Sequence, residues 1–166
     1  MKGLTIYRIL TYILLPVAAI LGFATLMALL IAIGNFALLL SVFISGATVI
    51  YVFSSFVFLQ KGITKHLYLK HSLKDLVKVN GYVAIVFSVM GLIQGIAILT
   101  TPGLAKTLVE NMATMQAATL KTSTNEILRM INGVLYFMLA FSALLFVHIN
   151  FTFRYLKQYG DLFTRR

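Results

Sequence analysis

Fifty-two consecutive residues, Ile9–Gln60, contain no Asp, Glu, Lys or Arg. No soluble domain of ordinary composition tolerates such a run, because a water-facing surface needs charge. A single helix of that length would reach about 78 Å at about 1.5 Å per residue, whereas a bilayer's hydrocarbon core is about 30 Å thick. The run must therefore fold back on itself. Gly34-Asn35 lies at its midpoint, and both residue types tolerate the left-handed backbone that stops a helix. Two antiparallel spans joined by a very short turn follow, at about residues 9–33 and 36–59.

Two further charge-free runs, Val79–Ala105 and Met130–Phe153, each suit one crossing of roughly 20 apolar residues. They predict spans at about 81–99 and 131–153. The fold class expected is all-α: a single four-span membrane domain over residues 1–166, a four-helix bundle with a basic loop at 60–79 and an outer loop at 101–130. Lys2 and Arg8 ahead of an apolar stretch resemble a signal peptide. That stretch far exceeds a signal's roughly 7–15 residues, so retention as an anchor is expected.

The net charge of +10 has a membrane explanation. Lys2 and Arg8, then Lys61, Lys65, Lys70, Lys74 and Lys78, then Arg154, Lys157, Arg165 and Arg166 all fall on one side of a four-span layout. These are 11 of the 14 basic residues, and only Lys106, Lys121 and Arg129 fall on the other. The positive-inside rule then places both termini in the cytoplasm. No nucleic-acid partner is required. The lack of Cys and Trp suits a bacterial inner membrane, and without cysteine no disulfide or thiolate metal site arises.

The segment Lys61–Lys78, KGITKHLYLKHSLKDLVK, is the most basic in the chain. Ser72 and Asp75 resemble a capping box that starts the third helix near Leu73. Helical spacing puts Leu69, Leu73 and Leu76 on one face and Lys70, Lys74 and Lys78 on another. The three lysines are the expected contact for anionic lipid headgroups. His66 and His71, five apart, fall on different helix faces and make a poor metal pair.

Within the spans, polar residues are sparse. Pro16 removes a backbone hydrogen bond from the first helix and favours a bend. Ala18 and Gly22, four apart, offer a close-packing face. Ser41, Ser45, Gly46, Thr48, Ser54 and Ser55 of the second span suit helix packing. In the third, Gly91 and Gly95 leave a groove for close helix contact, with Gln94 at its edge seeking a hydrogen-bond partner. The expected partners are Ala18 and Gly22 of the first span, or Gly133 and Ala140 of the fourth. A second copy of the chain, or a larger membrane complex, is the other way to cover that groove. Gly81, nearer the membrane surface, is expected to tolerate a large side chain.

Between the third and fourth spans, Thr101-Pro102 reads as a helix start and Pro102–Lys121 as an amphipathic outer helix. Its Met112 and Met115 suit packing better than copper. Ser123 with Glu126 forms a further capping box. The fourth span carries Asn132, His148 and Asn150, followed by Tyr155 and Tyr159 where interfacial aromatics belong.

His148 is the one ionisable residue inside a span, unaccompanied by a second histidine or a carboxylate. No P-loop, HExxH or GxSxG motif occurs. No catalytic residue, cofactor or metal site is assigned, and an enzyme is not expected. Two function classes stay open: a non-enzymatic accessory or scaffolding subunit, and a small oligomeric channel or transporter. They differ in whether Ser45, Thr48, Gln94, Asn132 and His148 line a continuous cavity or are sealed against neighbouring helices.

Overall fold

The computed structural model describes residues 2–101, 103, 104, 107 and 124–164. Four long helices dominate: α1 (Lys2–Ala32), α2 (Phe36–Val57), α3 (His71–Thr100) and α4 (Thr124–Gln158). Each contains a stretch long and apolar enough to cross a membrane, with mean hydropathy between 2.1 and 2.5. Ile20, Ile31 and Phe36 are 73, 76 and 82% exposed. In water such surfaces would drive aggregation; in hydrocarbon they need no partner. The chain is an all-α protein with four membrane-spanning helices. Apart from Gly103, Leu104 and Thr107, the expected outer helix Pro102–Lys121 lies outside the described residues, as does the Ser123 cap.

The α1–α2 turn sits where the charge-free run has to reverse. Gly34 takes φ +95°, a left-handed conformation that glycine adopts at little cost. Asn35 then caps α2: its side-chain oxygen accepts from the backbone N–H groups of Ala37 at 3.1 Å and Leu38 at 3.3 Å. Those are two of the four donors that a helix start leaves without intrahelical partners. α1 runs unbroken through Pro16. Gly22 faces Val49, where an added Cβ would meet Cγ1 at 3.2 Å, so the small-residue face of α1 is used against α2.

The chain divides into two compact units. The first comprises residues 1–88 and 144–166, and the second residues 89–143.

At the lysine-rich end of the first unit, α2 continues as a π-helical turn, Phe58–Thr64. A two-residue parallel pairing follows, β1 (Leu69–Lys70) with β2 (Phe163–Thr164), in the register Leu69 to Phe163 and Lys70 to Thr164. The pairing roofs a small core. Phe58 stacks on Phe163 at 5.7 Å between ring centroids, and Phe58, Ile63, Leu69 and Phe163 are all buried. Gly62 lies beneath Leu69, whose Cδ1 is 2.8 Å from where a Cβ would be.

This arrangement corrects the reading of the lysine segment. α3 starts at His71, not near Leu73, so Ser72 lies inside the first turn. Leu69 is in a strand and Leu76 is 45% exposed. The buried face of α3 in this unit is instead Val77, Gly81, Ala84 and Ser88, a 4-3-4 spacing that keeps one stripe on a 3.6-residue helix.

Candidate functional site

The first unit contains a buried polar cluster built from three spans. On α1, Tyr7 and Thr11 are one turn apart; on α4, His148 and Thr152 are likewise; Tyr51 comes from α2. All five are completely buried. His148 Nε2 lies 2.9 Å from Thr11 Oγ1, and its Nδ1 lies 2.9 Å from the Tyr51 hydroxyl. The Tyr51 hydroxyl is 2.8 Å from Thr152 Oγ1, which is 3.4 Å from the Tyr7 hydroxyl. The imidazole stacks on Tyr7 at 5.0 Å with 18° between planes, and meets Tyr51 edge-on at 5.7 Å.

Proton counting gives the cluster a consistent order. Thr11 donates its single proton to the Tyr7 carbonyl at 2.8 Å. It therefore accepts from His148 Nε2–H, which leaves Nδ1 as a lone pair accepting from Tyr51. Thr152 then donates to Tyr51. The reverse order, with Nδ1–H donating to Tyr51, Thr152 turned to the His148 carbonyl at 2.9 Å and Thr11 turned from the Tyr7 carbonyl to donate to Nε2, is equally complete. Either way a neutral imidazole leaves neither ring nitrogen unsatisfied. In a low-dielectric interior a half-satisfied network is costly and a complete one fixes geometry. The chemistry this arrangement performs on its own is adhesion: one ring holds α1, α2 and α4 together.

Other polar side chains of the spans in this unit are also spoken for. Thr25 and Ser45 meet across α1 and α2 at 3.1 Å. Thr48 and Ser55 donate to Ile44 and Val52 carbonyls of their own helix at 3.0 and 2.8 Å. Tyr155 is buried and packs on Tyr7 at 5.1 Å, with its hydroxyl over Gly3. It is therefore a core residue rather than the interfacial anchor its position suggests.

In the second unit the Gly91–Gly95 groove faces α4. A Cβ on Gly95 would lie 2.7 Å from both Cγ and Cδ2 of Leu139, and one on Gly91 would overlap Ser142 Oγ. The fourth span is the partner, but through Leu139 and Ser142; Gly133 has nothing within 4 Å of its Cβ position. Gln94 is exposed, with no hydrogen bond from its amide among the described residues. Ser142 Oγ is buried without a hydrogen-bond partner among them.

A second feature of the first unit is an open groove of about 360 Å³ beside the lysine segment. Lys74, Lys78 and Tyr82 line it from α3; Phe153, Leu156 and Lys157 line it from α4, with Gly160 just beyond. Tyr82 and Phe153 form a tilted pair at 5.2 Å, and Lys74 Nζ sits 5.5 Å over the Phe163 ring. Two of the three lysines expected to meet anionic lipid are thus brought together. The third, Lys70, is exposed on β1 outside the groove, and Lys157 takes its place.

Thr11, Tyr51 and Thr152 were not legible in the sequence as partners of His148. Their signal was the polar pairs one turn apart, Tyr7 with Thr11 and His148 with Thr152, on otherwise apolar spans. Among the described residues no group of three or more His, Asp or Glu is placed to hold a metal ion. Compared with protein-family models, curated proteins and solved structures, the chain matches none.

Proposed function

We propose that this is a non-enzymatic integral membrane protein acting as an accessory or scaffolding subunit, with both termini in the cytoplasm. The observation that carries this reading is the closure of His148. The one histidine, acidic or basic side chain within the three charge-free runs, His148, has both ring nitrogens committed to hydroxyls on two other helices. A proton- or cation-coupled carrier usually needs an intramembrane ionisable group that can exchange with water; here that group serves as a tie between helices. The orientation rests on the 11-to-3 division of basic residues.

The test is ion flux. Protein reconstituted in liposomes containing a pH-sensitive dye, under an imposed potassium potential, should pass protons no faster than protein-free liposomes, and His148→Gln should change nothing. Proton or cation entry that depends on His148 would overturn the scaffold in favour of the channel or transporter.

Orientation is checked separately in intact cells. Cysteine introduced as Lys70→Cys should react only with a membrane-permeant thiol reagent, and Thr107→Cys with an impermeant one. Labelling of position 70 from outside would reverse the assignment.

A further inference from the structure

We propose that the groove between the start of α3 and the end of α4 is a binding site for the phosphate-bearing headgroup of an anionic phospholipid. The inference rests on the proposed orientation, which puts the groove in the cytoplasmic leaflet, and it gives the scaffold a defined lipid partner.

The groove is graded along its length in the way a phospholipid is. Lys74 and Lys78 come just before the charge-free run Val79–Ala105, and Lys157 comes just after the run Met130–Phe153. The three ammonium groups therefore belong to the water side of the boundary. Tyr82 and Phe153, one turn further into those runs, belong to the hydrocarbon side. On α3 the three lining residues are spaced i, i+4, i+8, so they share one helix face. On α4, Phe153, Leu156 and Lys157, with Gly160 just beyond the helix, repeat the same polarity in the opposite chain direction.

Among the described residues no carboxylate lines the groove; Asp75 and Asp161, next in sequence to Lys74 and Gly160, are exposed and absent from its wall. Three positive charges converging on one cavity repel one another unless an anion sits among them. A phosphodiester with an attached glycerol and acyl chains matches both halves. Free phosphate matches only the cationic half and leaves the aromatic half idle. Lys74 is further held by its position over Phe163, so the β1–β2 pairing that fixes Phe163 also fixes one wall of the site.

The experiment uses the full chain in neutral detergent micelles, titrated with phosphatidylglycerol, with phosphatidylcholine of the same acyl chains as comparator. Bound lipid is counted by native mass spectrometry. Replacing Lys74, Lys78 and Lys157 together by Gln should weaken phosphatidylglycerol retention by about tenfold or more, given the size of single lysine contributions at anionic surfaces. Replacing Lys61, Lys65 and Lys70 by Gln removes the same charge from the same side and should leave retention within about twofold. Gly160→Phe changes no charge and places a ring where a Cβ has nothing within 4 Å; it should weaken retention as the first triple does.

Equal losses in both triples would mean a diffuse field and would overturn the site. So would unchanged retention in the groove triple or in Gly160→Phe. Displacement of phosphatidylglycerol by millimolar inorganic phosphate would overturn the lipid assignment in favour of a soluble anion. None of these outcomes involves ion flux, so failure here is distinguishable from failure of the scaffold reading.

Discussion

Gly95→Leu should be among the most damaging single changes in this protein. A Cβ at Gly95 already meets Leu139 at 2.7 Å, and leucine adds three more carbons in the same direction. Overpacking of this sort costs typically 1–3 kcal/mol and occasionally more. Between helices in lipid there is no hydrophobic force to offset the lost contact. The midpoint of thermal unfolding in detergent should fall by roughly 2–12 °C, taking about 2–4 °C per kcal/mol for a chain of this size. Gly133→Leu, on the exposed side of α4 with nothing within 4 Å, should change it little. Equal effects at the two positions would show that the α3–α4 contact does not limit stability.

Gly81 cannot serve as the tolerant comparison that its place near the membrane surface suggests. A Cβ there would meet the Phe153 ring at 2.8 and 2.9 Å and Tyr51 at 3.3 Å. Gly81→Leu should therefore be as harmful as Gly95→Leu. Distance along the sequence from the hydrocarbon centre is no guide to how closely a helix is approached.

Tyr51→Ala should cost still more. The ring is completely buried, contacts His148, and carries the hydroxyl that joins His148 to Thr152. Large-to-small changes of a buried aromatic typically cost about 3–5 kcal/mol, and here a hydrogen-bonded link is lost as well. Tyr51→Phe keeps the ring and removes only the link. It leaves His148 Nδ1 facing no donor in the proton order that has Thr11 accepting, at a cost of about 1–2 kcal/mol.

A cycle of Tyr51→Phe and His148→Phe, read by thermal unfolding, should show coupling of about 0.5–3 kcal/mol, as expected for groups sharing one network. Additive losses would mean that the two residues stabilise the helices independently and that the cluster is not a unit.

The sequence by itself determined the crossings. Length of an uncharged run against bilayer thickness is a one-dimensional comparison, so Ile9–Gln60 required a hairpin and Gly34-Asn35 supplied its turn. Gly91 and Gly95 were legible as a contact for the same reason: four residues on a helix always share a face, whatever lies opposite. What lay opposite was decided only in three dimensions. Leu139 and Ser142 carry no mark that separates them from other residues of the fourth span, and Gly133, the better motif match, turns away.

The same division holds at both candidate sites. His148 stood out as a lone ionisable residue, but Thr11 and Tyr51, 137 and 97 residues distant, look like ordinary span residues until the helices pack. Lys74 and Lys78 could be paired from their spacing, whereas Lys157 joins them only because α4 returns beside α3. The Leu69–Phe163 pairing is two residues long with no flanking pattern, too short for any periodicity to show. Local geometry is written along the chain; which faces meet depends on how helices of fixed length, free of charge along their spans, settle against one another.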